Sequence, residues 1–365
     1  MIHNFFLSHA KKLDWILTLA VAAVLALGLI ALYGICKDSG LVYFRKQLLF
    51  AVAGFFFMVG ISFFDYRIFK NYSSVLITVY LSCLFALIAV LAVGHETHGA
   101  ANWISLGGFA IDPVEFAKLG LILLLAKYFS LRHVELFQKR HLVVSFIYLF
   151  LPVSFVLLQP DLGSASILVF IWLGMVIVSG IKLRHLIGIV LIGVILFSVM
   201  WVGFLKDYQK NRIMTFLNPQ KDPLGYSYNL RQSVIAIGSG GVFGTGFGKG
   251  TQAQLKFLPE SHTDFIFSII AEEAGFAGVL ILFSAFGLII YRVLKIGLSA
   301  NDNFSKFFSM GFSIMLFVQI LINTGMCMGV MPVVGIPLPF ASYGGSSLLM
   351  NFLGLGILQS IKVRS

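Results

Sequence analysis

The chain has 365 residues, of which 59% are hydrophobic and 11% charged, with a formal net charge of +11. Soluble domains carry roughly a quarter charged residues, so this composition excludes a soluble globular protein. Long unbroken apolar runs point to membrane-spanning helices and not to a barrel, whose strands are short and alternate. The positive balance then reads as basic loops facing anionic lipid, with no nucleic-acid partner.

Taking roughly 20 apolar residues per crossing, the sequence predicts an all-α integral membrane protein of about ten transmembrane helices. They fall at 14–36, 46–64, 73–94, 113–130, 142–158, 163–180, 186–205, 264–292, 307–330 and 344–361. The first is long enough to span and shows no small-residue cleavage site, so it reads as a retained helix. Cys36, Cys83 and Cys327 lie in or beside apolar runs without metal-like spacing, as buried small side chains do.

Orientation follows from the basic residues. Arg67, Lys70, Arg132, Lys139, Arg140, Lys182, Arg184, Arg292, Lys295 and Lys306 all fall in alternate connections, and Lys11, Lys12, Lys362 and Arg364 lie near the ends. The opposite connections 95–112, 159–162 and 331–343 contain no Lys or Arg. Among the short connections only the turn with Lys37, Arg45 and Lys46 runs against the pattern, and the seven basic residues of 206–263 do not overturn it because the rule is strongest for short loops. Both termini are therefore expected in the cytoplasm, with 206–263 a large extracytoplasmic loop within a single polytopic membrane domain.

Four stretches along this outer side carry polar chemistry. In DPVEFAKLG, Glu115 and Lys118 are three apart and share a helix face. Their pairing is either structural or the wall of a cavity in which Lys118 meets an anion. Asn102 and Trp103 just upstream suit an interfacial lip. QPDLG at 159–163 places Asp161 in a tight turn, which on its own is turn chemistry.

The loop 206–263 is too long for a connector and too rich in aromatic and branched residues for disorder. A short interfacial helix is expected around Tyr228–Ile237. The glycine-rich run 238–250 fails the phosphate-loop pattern because Lys249 is followed by Gly250. It reads as a tight, interface-hugging loop whose glycines permit close backbone approach, or as a backbone nest for a substrate phosphate.

LPESHTDFIFSIIAEEAG at 258–275 is the pivot of the chain: it puts Glu260, His262 and Asp264 where polar sequence gives way to a span. Thr263 is expected to cap that helix, leaving Asp264 in its first turn, ionised by the helix dipole. There it either decorates a helix end or serves as a base. Finally, 331–347, rich in proline and apolar residues and without charge, reads as an ordered re-entrant loop. Glu115, Lys118, Asp161, Arg212, Lys256, Glu260, His262 and Asp264 thus all gather at the outer boundary. Scattered structural ion pairs would have no reason to choose one side, so this asymmetry favours an outward site for an anionic substrate.

Together, PVEFAK at 113–118, QPDLG at 159–163, the run 211–250, LPESHTDF at 258–265 and GIPLPFASYGGSS at 335–347 resemble the SEDS family (shape, elongation, division and sporulation), nearest its cell-elongation branch. The resemblance covers essentially the whole chain. It implies a peptidoglycan glycosyltransferase that polymerises lipid II, carried on undecaprenyl pyrophosphate, at the outer face of the bacterial cytoplasmic membrane. It also implies a class B penicillin-binding protein as transpeptidase partner.

By the same resemblance the catalytic aspartate falls on Asp264, with Glu115, Lys118 and Asp161 in substrate-binding positions. Arg212, Lys256, Glu260, His262 and Trp103 are further candidates around the substrate. The chain departs from the family at Asn102, where an arginine often precedes the tryptophan. No protein cage for a metal is visible, so a divalent cation, Mg²⁺ or Mn²⁺, would be shared with the pyrophosphate.

Two other functions compete. A flippase for lipid-linked precursors needs polar groups through the full depth of the membrane, and Glu272 and Glu273 are the only deep candidates. A non-catalytic scaffold for the transpeptidase needs no outward acid cluster.

Overall fold

A computed structural model of the chain describes every residue except 1–8, 38–39, 94, 98–99, 107–108, 133–138, 204, 219–226 and 256. Helices dominate it. In chain order they are α1 (Trp15–Cys36), α2 (Val42–Phe63), α3 (Arg67–Asn71), α4 (Ser73–Val93), α5 (Pro113–Arg132), α6 (Lys139–Leu158), α7 (Leu162–Val178) and α8 (Leu183–Gly203). After them come α9 (Asp207–Leu217), α10 (Tyr228–Ser239), α11 (Thr251–Gln254), α12 (Ile266–Ser299), α13 (Asn303–Cys327) and α14 (Gly345–Arg364).

Among the described residues eight helices, α1, α2, α4, α6, α8, α12, α13 and α14, are long and apolar enough to cross a membrane. The chain is a multi-pass membrane protein. α5 and α7 occupy the other two expected positions. α5 carries Glu115, Lys118, Lys127 and Arg132, and α7 is short at 17 residues.

The connection 95–112, expected only as a loop, contains a small antiparallel sheet of β1 (His95–Thr97), β2 (Ala100–Leu106) and β3 (Phe109–Ile111), paired in that order. It delivers the chain directly into the start of α5.

The interior is built around α13, α14 and α5, whose buried faces run nearly their full length. α14 packs along α2, α12 along α1, and α13 against both α5 and α12. By contrast α8 has no buried residue at all. It stands at the edge with an apolar face of Val194, Ile195, Val199 and Val202 exposed.

Hydrogen bonds sort the molecule into two ends. At one end the beginning and end of the chain meet: Asp14 N–H donates to Gln359 Oε1 at 2.8 Å, and Arg292 holds the Asp14 carboxylate through Nε and Nη2. Tyr66 donates to Asp302 at 2.8 Å on the same side. At the other end lie the turn before α12, the 331–343 segment and the glycine-rich run.

That run explains the length of α12, whose 34 residues exceed one crossing. The helix breaks at Gly275, at φ 65 and ψ −166. The broken backbone pairs with the loop: Thr245 and Gly246 N–H donate to the carbonyls of Glu272 (2.9 Å) and Glu273 (3.0 Å). Phe276 and Ala277 N–H donate to Gly241 (2.9 Å) and Val242 (3.0 Å) in return. Irregular backbone at membrane depth is tolerated only where protein satisfies it in this way. Gly244, at φ 80, sits so close to Gly275 and the Glu273 carbonyl that no side chain fits.

The two deep glutamates are anchors for this loop. Glu273 Oε1 accepts from Gly248 N–H at 3.0 Å, and Glu272 Oε1 from Gln252 N–H at 3.0 Å. They are not the only deep polar groups. Gln319, Asn323, Asn351 and Gln359 are also buried in α13 and α14, which corrects the expectation that Glu272 and Glu273 are the only deep candidates.

Candidate active site

Asp264 lies in a turn, two residues before α12 begins. Thr263 does not cap the helix as expected. Its hydroxyl donates back to Glu260, to the carboxylate at 3.1 Å, and the position next to the helix is taken by Phe265 without a side-chain cap. Glu260 itself is left-handed at φ 55, which turns the chain back on itself. Asp264 therefore belongs to a closed turn and not to the first turn of the helix.

That turn is held from three sides. Asn323 on α13 donates its amide to the Asp264 carbonyl at 2.8 Å and to the Ile336 carbonyl at 2.7 Å. Ser342 donates to the Thr263 carbonyl at 2.5 Å, and Tyr343 N–H to the His262 carbonyl at 2.9 Å. The Asp264 carboxylate borders Gly335, where an added Cβ would lie 3.4 Å from Oδ2.

Beside this turn the His262 ring stacks on Tyr43, with centroids 4.4 Å apart, and Tyr343 packs edge-on against Tyr43 at 5.0 Å. Burial lowers the His262 pKa, opposed in part by the Glu260 carboxylate, so the ring stays neutral near pH 7.

The second wall comes from α5 and α7. Lys118 donates to Glu115 at 2.9 Å, and both side chains are buried. The i,i+3 spacing produces this pair directly. Asp112, next to the sheet, caps α5 through Val114 N–H at 2.9 Å. Its carboxyl is pushed up to about 8, first by burial and then by the neighbouring Glu115 and Asp161 charges, with Lys118 pulling the other way.

Asp161 caps α7 through Ser164 N–H at 2.9 Å. Its turn is clamped by α9, where Tyr208 Oη and Gln209 Nε2 donate to the Pro160 carbonyl at 2.8 and 3.0 Å. Gly163 lies against the Val334 carbonyl, an approach that excludes any side chain there. Contacts therefore link the Asp161 turn to 334–336 and so to Asp264, while Asp112 feels the charges of Glu115, Lys118 and Asp161 through space.

The family model described as Cell cycle protein, for FtsW, RodA and SpoVE, matches residues 11–365. The chain belongs to the FtsW/RodA/SpoVE family. It is 41% identical over 284 residues to peptidoglycan glycosyltransferase MrdB of Escherichia coli strain K12, covering 78% of this chain and 76% of that protein. It is 35% identical to stage V sporulation protein E of Bacillus subtilis strain 168, covering 95% and 96% of the two chains.

Among solved structures it is similar to a chain of a peptidoglycan synthase complex that coordinates polymerization and crosslinking. The TM-score is 0.82 at 33% identity, over 96% of this chain and 97% of that one. The crystal structure of the rod shape determining protein RodA of Thermus thermophilus gives a TM-score of 0.70 at 31% identity, over 96% of each chain.

On this FtsW/RodA/SpoVE scaffold, the remaining candidates from the sequence are placed unequally. Trp103 sits in the middle of β2, opposite His95 in the sheet and half-buried. Arg212 is on α9 with its guanidinium over the Tyr208 ring, 5.8 Å from the centroid, beside the Asp161 turn. Lys256 lies outside the described residues. Among the described residues no three His, Cys, Asp or Glu side chains converge on a point fit for a metal.

Sequence reasoning missed Asp112 as a site residue, and with it Asn323, Tyr43 and Ser342. Asn323 carried a readable signal, an amide in an apolar span. Tyr43 and Ser342 did not, because their roles depend on partners far along the chain, 79 residues away for Ser342 and Thr263.

Proposed function

We propose that this chain is a peptidoglycan glycosyltransferase that polymerises lipid II at the outer face of the bacterial cytoplasmic membrane. Both termini are cytoplasmic, all ten long helices including α5 and α7 cross the bilayer, and 206–263 is outside. The observation that carries this reading is the set of contacts joining Asp264 to the Asp161 turn, with the buried Glu115–Lys118 pair and Asp161 both acting electrostatically on Asp112. One end of the bundle thereby gathers a carboxylate base, a buried cation and a carboxyl whose pKa is raised.

The reaction joins a sugar hydroxyl to the anomeric carbon of a second glycan. The new C–O bond forms as the bond to pyrophosphate breaks, and the hydroxyl proton passes to Asp264. A hydroxyl is a poor nucleophile near neutral pH, and a positioned carboxylate accelerates such a step by about 10²–10⁴-fold. Asn323, Ser342 and Tyr343 fix the turn that carries Asp264, so the base is positioned before substrate arrives.

The departing pyrophosphate needs positive charge in a dry site. Lys118 supplies it from the second wall, with Arg212 and Lys256 as the outer candidates. A divalent cation arriving with the pyrophosphate would be held by the phosphate oxygens together with protein carboxylates. The lipid tails stay in the bilayer, where α8 offers them an exposed apolar face. A class B penicillin-binding protein is the partner that cross-links the product.

The buried glutamates of α12 bond to the glycine-rich loop, which speaks for a structural role and against a transport path. The test is purified protein incubated with labelled lipid II, alone and with its transpeptidase. Glycan polymer with either preparation supports the proposal, and its absence with both rejects it.

A further inference from the structure

At the end of the bundle opposite Asp264 there is a charged cavity of about 410 Å³, lined among others by Lys11, Lys12, Asp14, Trp15, Arg292 and Lys362. Its charge balance is lopsided. The one acid, Asp14, is fully engaged: its carboxylate accepts from Leu17 N–H at 3.0 Å and from Arg292 Nε and Nη2 at 3.0 and 2.5 Å. Among the described residues no acid pairs with Lys11, Lys12 or Lys362. Three uncompensated ammonium groups from the two ends of the chain thus face one concavity, with a guanidinium fixed at its edge.

The cavity also has an apolar side. Trp15 begins α1, donates its indole N–H to the Ala10 carbonyl at 2.9 Å, and is 46% exposed. Ring-and-polar-tip side chains favour the level where headgroups meet acyl chains. From there Ile16 and Leu19, one helical turn apart and 49% and 66% exposed, continue along α1 toward the membrane interior. A free phosphate needs only the cations; the apolar track leading away from them suits a molecule with a charged head and a hydrocarbon tail.

We propose that this cavity binds the phosphate headgroup of an anionic membrane lipid, with Lys11, Lys12 and Lys362 on the phosphate and the acyl chains along Ile16 and Leu19. Placing this end in the inner leaflet rests on the membrane orientation proposed above. The site is separate from the polymerising one.

The experiment is titration of the purified full chain in neutral detergent with dioctanoyl phosphatidylglycerol, dioctanoyl phosphatidylcholine or inorganic phosphate, followed by thermal unfolding. Phosphatidylglycerol should raise the midpoint, and phosphatidylcholine and inorganic phosphate at the same concentration should not. In Lys11→Gln/Lys12→Gln/Lys362→Gln the half-saturating lipid concentration should rise by about tenfold or more, given roughly 1 kcal/mol for each basic residue near an anionic surface. A control lacking Lys295, Lys306 and Arg140, also replaced by Gln, should shift less than about twofold.

Equal losses in the two variants would show generic charge attraction and overturn the proposal. So would inorganic phosphate matching phosphatidylglycerol. If the triple variant does not fold, Lys12→Gln/Lys362→Gln with the same titration decides. No turnover is measured, so failure here and failure of polymerisation are distinguishable.

Discussion

Asn323 donates its side-chain amide to the backbone carbonyl of Asp264 at 2.8 Å, and through a second bond at 2.7 Å ties that carbonyl to Ile336 in the facing loop. One buried amide on α13 therefore sets where the candidate base sits. Replacing Asn323 by Leu strands two carbonyls, at about 1–3 kcal/mol each. The thermal midpoint should fall, and polymerisation should fall further than partner binding. A variant with wild-type activity would show that the turn holds itself.

Glu115 and Lys118 should behave as one unit. Removing either charge leaves the other uncompensated in a buried site, at roughly 3–5 kcal/mol. A double-mutant cycle with Glu115→Gln and Lys118→Met should show strong coupling in stability. Exchanging the two residues should restore folding more than activity, since the cation would then sit away from the pyrophosphate. Additive effects would mean that the pair contributes nothing as a pair.

The raised Asp112 carboxyl gives a pH signature. Its folded pKa of about 8 lies above the usual 3.8, so the folded state holds a proton that the unfolded state has lost across that interval. The stabilisation is complete below about pH 4 and is lost as pH rises through 8. Asp112→Asn keeps an oxygen for Val114 N–H and cannot ionise. Thermal melts from pH 6 to 9 should fall less steeply for the variant than for wild type. Parallel curves would contradict this assignment.

Much of this architecture is legible in the sequence because hydrophobic runs near 20 residues have one stable use in a bilayer. The expected span at 186–205 is α8 (Leu183–Gly203), and the expected interfacial helix at Tyr228–Ile237 is α10 (Tyr228–Ser239). What escaped depends on distant partners. The break at Gly275 cannot be read locally, since its donors and acceptors lie in 241–246. The capping assigned to Thr263 failed because its hydroxyl found Glu260 three residues back. The sheet at 95–111 was hidden because two of its strands have only three residues each.

The topology has its own measurement. Asn211 on α9 and Asn301 between α12 and α13 are both exposed, whereas Cys36, Cys83 and Cys327 are buried and stay silent. In intact spheroplasts Asn211→Cys should react with a membrane-impermeant thiol reagent, and Asn301→Cys should react only after permeabilisation. Reversed labelling would place Asp264 on the cytoplasmic side and exclude polymerisation outside.

The most direct test of the account is polymerisation of labelled lipid II by the purified chain with its transpeptidase, comparing wild type with Asp264→Asn and Asp264→Ala. Both variants should fold, insert and bind the partner. Loss of the base should lower the rate by about 10²–10⁴-fold. Either variant retaining more than about a tenth of the wild-type rate would show that Asp264 does not take the proton.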